Sequence, residues 1–373
     1  MSKHTHAAPN IVENFAPGWF ASVMGTAVIV VAIFSLRQFV PFAASLQLIF
    51  LVLALSLFAV LIVPWLLRWM RYPAAVRRDF NNPVSAAFFP TMPISLLVIG
   101  LALDKTRLPF ISENTNWAIL QGLWVIGAAG IVLFALAILN TFFHQPEVKW
   151  DSATLGWLIP PVSALLVPVL GSSLMGHFAG TPWGQVNLVG SLIFLGIGSL
   201  LFIFIMSLVF GRYIFFAAPP AHLTATLWVG LAPTSILTII GLRLVTPAQK
   251  VLAFSQTTTD TLNTLALVAG VALWGFALFW ALLSLLVTWQ TRRVTGLPFA
   301  LSWWAFVFPV GAFTVASGVL YQALPYAFFR WVGLLALLAL LALWLITAVH
   351  TLNGVRNRSI FVPHGPKPAT KPA

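Results

Sequence analysis

Residues 304–318 read WAFVFPVGAFTVASG, an uncharged apolar run interrupted by a proline, two glycines and two hydroxyl residues. Four other stretches share this make-up: FAPGWFASVMGTAVI at 15–29, FFPTMPISLLVIG at 88–100, IPPVSALLVPVLGSSL at 159–174 and WVGLAPTSILTIIG at 228–241. One proline taken from each gives Pro17, Pro93, Pro168, Pro233 and Pro309, with steps of 76, 75, 65 and 76 residues; Pro90 and Pro161 are neighbouring choices. A repeat of about 73 residues is too long for one membrane helix and fits a helical hairpin. Five hairpins, each with one broken helix, read as a pore.

Composition sets the solvent. Of 373 residues, 60% are hydrophobic and only 7% charged, against about 25% charged in soluble domains. The bilayer, not a globular core, therefore organises this chain. The formal net charge of +12 sits at segment ends, as the membrane-orientation signal does. No run mixes clustered Lys/Arg with exposed aromatics, so no nucleic-acid partner is expected. With no cysteine, disulfides, thiolate catalysis and thiolate-held metals are excluded. The polar first sixteen residues carry no cleavable apolar stretch, so no signal peptide is read.

Ten hydrophobic spans follow, near 16–36, 42–67, 86–103, 117–143, 153–175, 187–210, 226–245, 262–288, 301–322 and 329–352. Each is near the ~20 residues that a helix needs to cross the hydrocarbon. The expected fold class is an all-α integral membrane protein: ten transmembrane helices as five helical hairpins around a central pore, the odd helices inner and proline-kinked. The expected organisation is an N-terminal tail at 1–15, a transmembrane unit at 16–352 and a basic, proline-containing, solvated tail at 353–373. With both termini on one side, that side holds thirteen basic residues, among them Arg68, Arg71, Arg77, Arg78, Lys149, Arg212, Arg292 and Arg293. The other side holds six: Arg37, Lys105, Arg107, Arg243, Lys250 and Arg330. The count predicts cytoplasmic termini in a multi-pass protein of the cytoplasmic membrane.

The even spans are rich in Leu, Ile, Ala, Val and Phe and lack proline apart from Pro64, as lipid-facing helices should. The odd spans concentrate prolines and hydroxyls. A proline removes a backbone donor, and such backbone is tolerated where it is buried in protein or lines a watery cavity. The candidate pore-lining residues are Pro17, Gly25, Thr26, Pro90, Thr91, Pro93, Ser95, Ser163, Pro168, Pro233, Thr234, Pro309 and Thr314. Helix breaks would also present N–H groups and positive dipole ends to an anion.

The acidic residues Glu13, Asp79, Asp104, Glu113, Glu147, Asp151 and Asp260 all fall outside the spans or at their borders. No carboxylate relay or acidic cation site is therefore expected within the membrane. No positive charge sits mid-span, which argues against a tight, charge-paired anion site. Weak binding and passage of anions remain. The histidines have no metal-site spacing, and no phosphate-binding loop or catalytic motif is present. No enzyme activity, cofactor or metal is expected. In the ninth span Phe306, Phe308 and Phe313 surround Pro309, and an aromatic beside a break could close a lumen by dewetting. Packing against neighbouring helices is the competing reading for any one of 31 Phe residues.

FAPGWFASVMGT at 15–26, NPVSAAFFPTMPIS at 82–95 and SWWAFVFP at 302–309 resemble the tellurite-resistance/dicarboxylate transporter family. That family includes bacterial tellurite-resistance protein A, plant slow-type anion channels, yeast malate permeases and fungal sulfite efflux pumps. The resemblance covers all ten spans and implies a homotrimer, each subunit having five hairpins around its own pore. It implies a pore-blocking Phe that falls on Phe308, with Phe306 the alternative by local framing. The sequence departs at Asn82, where a His is expected before Pro83. FFPTMPIS is similar to the channel branch; SWWAFVFPVGAFTVAS and NRSIFVP at 357–363 are closer to the dicarboxylate and sulfite branches. The resemblance implies passage of small anions of the chloride, nitrate, sulfite or C4-dicarboxylate class. A proton-coupled malate carrier or a sulfite exporter is the alternative.

Overall fold

The computed structural model describes residues 10–106, 108, 110–145 and 148–361. Lys3, Arg107, Glu147 and the tail beyond 361, all used in the sequence reading, lie outside these. The described residues form helices joined by short connections, with ten helical spans long and apolar enough to cross a membrane. Their α-helical parts are α1 (Ala21–Ser35), α2 (Ala43–Arg71), α3 (Thr91–Thr106), α4 (Glu113–His144), α5 (Ile159–His177), α6 (Pro182–Phe215), α7 (Leu231–Leu252), α8 (Gln256–Val294), α9 (Trp304–Ala323) and α10 (Ala327–Arg356).

The odd and even helices occupy different layers. In the most apolar stretch of the odd spans 94, 83, 89, 78 and 94% of residues are buried; in the even spans the values are 22, 28, 17, 22 and 28%. The exposed surface of the even helices consists of large aliphatic and aromatic side chains such as Val60, Leu133, Phe204, Leu282 and Leu335. Such a belt is unsustainable in water and expected against lipid. Each inner helix packs on the outer helix that follows it, and the inner helices touch in the order α1, α3, α5, α7, α9 and back to α1, a closed ring.

Close approach relies on small residues, as between membrane helices generally. A Cβ on Gly311 would lie 2.4 Å from Val28 of α1, and one on Gly198 would lie 2.7 Å from Leu165 of α5. Polar pairs add directional bonds: Gln121 of α4 and Asn187 of α6 exchange amide hydrogen bonds of 3.1 and 3.0 Å, both side chains being buried.

The prolines act differently from one repeat to the next. Pro168 and Pro309 lie inside α5 and α9. Pro17 opens a 3₁₀ segment, Pro17–Phe20, while Pro93 and Pro233 sit in the first turns of α3 and α7, where an N–H has no intrahelical partner to lose. Departure from α geometry comes instead at the helix starts. Segments Pro17–Phe20, Leu155–Leu158, Ala221–Gly230 and Leu301–Trp303 are 3₁₀ and run directly into α1, α5, α7 and α9. The even helices start abruptly, three of them capped by Ser112, Thr181 and Ser255.

At the end that carries the chain termini, side chains anchor the connections. Arg68, at the end of α2, is buried and donates to the carbonyls of Glu13 and Ala75 and to the Asp79 carboxylate at 2.6 Å. Asn82, at the departure from the family pattern, caps the short helix Pro83–Ala86 by accepting from the Val84 and Ser85 amides. Of residues 353–361, at the start of the expected tail, most are exposed, while Gly354 and Phe361 are buried. Helix α10 runs on to Arg356, and Phe361 is buried, stacked on Trp19, which in turn stacks on Phe15.

Candidate functional site

Where the five inner helices meet, a cavity of about 30 Å³ lies between them. Each helix supplies residues one turn apart to its wall: Val28 and Val31 from α1, Val98 and Leu101 from α3, Leu166 and Val169 from α5, Ile236 and Ile239 from α7, and Phe308, Ala312 and Val315 from α9. This is the five-fold repeat in side-chain form. Every wall residue is apolar, and the volume holds one or two waters at most.

Phe308 is on this wall and 4% exposed. Its two neighbours on α9 look elsewhere. Phe306 packs edge-on against Trp228 and Trp303, with ring centroids 5.7 and 5.8 Å apart, and Phe313 stacks on Trp274 at 5.4 Å. Phe306 and Phe308, two residues apart, project to different sides of the helix, as 3.6 residues per turn require. Pro309 follows in the same helix and is buried.

The other residues singled out from sequence are all buried or half-buried within the inner ring, but off this wall. Thr26 donates to the Ser22 carbonyl at 2.7 Å and accepts from Trp344 of α10 at 3.0 Å. Gly25 lies against Trp304 and Val307. Thr91 donates to the Phe88 and Pro17 carbonyls, which ties Pro17 to α3. Ser95, Ser163 and Thr314 each donate to a carbonyl one turn back in their own helix, a common alternative use of hydroxyls in helices. The Thr234 hydroxyl, next to Pro233, is buried without a partner. Pro90 accepts from the Ile94 amide, and Pro93 is covered by Gly127 and Gly130 of α4. Beside Pro168, the Val167 carbonyl accepts from Trp124 at 3.0 Å.

A polar rim that sequence reading did not single out caps the wall at the end away from the termini. Ser35, Asp104, Ser173 and Arg243 follow Val31, Leu101, Val169 and Ile239 by three or four residues, and Gln322 follows Val315 by seven, so each shares a helix face with its wall residue. Gln322 donates to the Ser35 carbonyl at 3.0 Å and accepts from Arg243. Asp104 accepts from Ser173 at 2.8 Å and from Lys105 at 2.5 Å. The missed signal was the helical offset between these border charges and the residues of the wall.

Residues 14–352 match the family model described as a voltage-dependent anion channel. An uncharacterized transporter of Methanocaldococcus jannaschii is 29% identical over 355 residues, 95% of this chain and 97% of that protein. A sulfite efflux pump of Arthroderma benhamiae is 21% identical, covering 94 and 93% of the two chains. A putative malic acid transport protein of Schizosaccharomyces pombe is 22% identical, covering 94 and 82%. The chain belongs to this anion-channel and transporter family, as its three motifs suggested.

Proposed function

We propose that this member of the voltage-dependent anion channel family conducts small anions along the axis of its inner ring, with Phe308 as the gate and residues 16–352 as the conducting unit. The observation that carries the proposal is the cavity whose wall draws residues from all five inner helices, Phe308 among them. An apolar constriction this narrow excludes a hydrated ion by dewetting, and rotation of one ring would relieve it. The five inner helices run in the same direction, so their positive dipole ends gather at the end bearing the termini. That arrangement attracts anions without a fixed charge that would hold them. The rim of Arg243, Gln322, Asp104 and Lys105 would receive them at the other mouth.

The proposed cargo is the chloride, nitrate, sulfite or C4-dicarboxylate class, in keeping with relatives named for sulfite and malic acid. The proposed setting is the cytoplasmic membrane, termini inside, as a homotrimer with one pore per subunit. Purified protein in liposomes tests the reading. Flux of chloride, nitrate, sulfite or malate without a proton gradient is expected. Strict dependence on a proton gradient would replace the channel by a coupled carrier, and absence of flux for all four anions would refute both.

A further inference from the structure

A second cavity, of about 400 Å³, lies on the outside of the bundle near the end that carries the termini, within the roughly 300–1,000 Å³ of small-molecule sites. Its floor is apolar: Ala135, Ile138 and Phe142 of α4, Trp157 and Pro160 at the start of α5, and Leu201, Ile205 and Leu208 of α6. The connection before α5 closes one end with Lys149 and Trp150. Leu201, Ile205 and Leu208 occupy one face of α6, and the next position on that face is Arg212.

Arg212 is an anomaly in this chain. Its side chain is 2% exposed. Its Nη2 donates to the carbonyl of Asp151, beside Trp150, at 3.2 Å, while Nε and Nη1 are buried with no partner. Its guanidinium also lies 5.2 Å from the Tyr213 ring. Arg68, at the matching end of α2, has two carbonyls and a carboxylate. Among the described residues the ion pairs are Arg68–Asp79 and Asp104–Lys105, and Arg212 is in neither. A buried guanidinium with two free donors is expensive unless an anion completes it. Arg212 itself lies one turn beyond the groove lining, covered by the Trp150–Asp151 connection that its Nη2 holds, so an anion reaches it from the Lys149 end of the groove. On a surface that faces lipid, such an anion would carry an apolar chain.

We infer that the groove binds one anionic phospholipid from the leaflet on the side of the termini, its acyl chain along Leu201, Ile205 and Leu208 and its phosphate between Lys149 and Arg212. A guanidinium suits this role because adjacent N–H groups grip two phosphate oxygens at once. Among the described residues, Asp151 is the acidic residue adjoining this end of the groove, and it is exposed.

The test uses full-length, delipidated protein and titrates phosphatidylglycerol against phosphatidylcholine of the same chains, with native mass spectrometry and melting temperature as readouts. Phosphatidylglycerol should bind roughly tenfold more tightly, the equivalent of one charge-assisted contact. Arg212→Gln and Lys149→Gln should each shrink that preference. Because Arg212→Gln alters a buried site, Ala135→Trp, which fills the groove and leaves both cations, should abolish retention of either lipid there. Equal binding of the two lipids by the unaltered protein would overturn the inference. So would a phosphatidylglycerol preference unchanged in folded Lys149→Gln and Ala135→Trp. A single cysteine at position 135 distinguishes the occupant: quenching of its fluorophore by brominated lipid is expected. Shielding from lipid by a second copy, shown by disulfide cross-linking at that position, would assign the groove to a subunit contact instead.

Discussion

Replacing Phe308 by alanine separates a gate from a packing residue. A fully packed core Phe costs about 3–5 kcal/mol when truncated to Ala. Phe308 borders a void on one face, so that face has few contacts to lose, and the expected cost is roughly half, about 2 kcal/mol. The functional effect should be larger and of opposite sign. At about 30 Å³ the lumen admits one or two waters, far fewer than an anion's hydration shell. Stripping an ion of water in an apolar passage costs several kcal/mol. If removing the ring recovers about 3 kcal/mol of that barrier, flux rises roughly a hundredfold, since about 1.4 kcal/mol is a factor of ten. The assay is anion flux into liposomes, normalised to folded protein by size-exclusion chromatography, for Phe308→Ala beside Phe306→Ala. Phe306→Ala should lose stability, because that ring packs on two tryptophans, and gain no flux. Unchanged flux in folded Phe308→Ala would refute the gate; a gain confined to Phe306→Ala would move it by two residues.

Three further outcomes are expected. Gly311→Ala drives a methyl into Val28 at the α1–α9 contact and should lower stability by about 1–3 kcal/mol, seen as a lower melting temperature in detergent. Gln121→Leu should destabilise by about 1–3 kcal/mol through the orphaned Asn187 amide, and the double variant with Asn187→Leu should recover part of the loss; equal melting temperatures for the single and double variants would count against that pairing. Because the chain lacks cysteine, single cysteines report orientation cleanly: position 253 should react with an impermeant maleimide from outside the cell and position 292 only after permeabilisation, and the reverse pattern would invert the topology.

The layering of the fold was legible because two different solvents wrote two different compositions. Even spans face lipid, so Leu, Ile, Val and Phe suffice. Odd spans face protein on all sides, so prolines, glycines and hydroxyls are tolerated there. The faces of the inner helices were not legible. A helix buried all round has no polar stripe to mark which side looks to the axis. Val28, Val98 and Ile236, on the cavity wall, read no differently from Ile29, Ile99 and Ile240, which pack away from it. Phe308 stood out only because Pro309 and the SWWAFVFP motif drew attention to it. Arg212 was read as one charge among thirteen, since neither its burial nor its lack of a carboxylate partner can be seen in a linear sequence. One contact of the tail went unread for a related reason. The docking of Phe361 on Trp19 is a contact between opposite ends of the chain, and local composition carries no trace of it.

The closed ring has a consequence for biogenesis. Helix α1 ends at Ser35, yet one of its ring neighbours, α9, begins at Trp304. At about 5–20 residues per second of synthesis, roughly 15–50 s pass before that neighbour exists. Until then α1 borders α2 and α3 and has an open flank in the bilayer. Its Val28, shaped to receive Gly311, is held there by lipid alone. The nascent chain is therefore an arc that closes in its final stage, with the last hairpin as the keystone. Chains truncated before α9 should be recognised by membrane quality control as open arcs, even when every span they contain has inserted correctly.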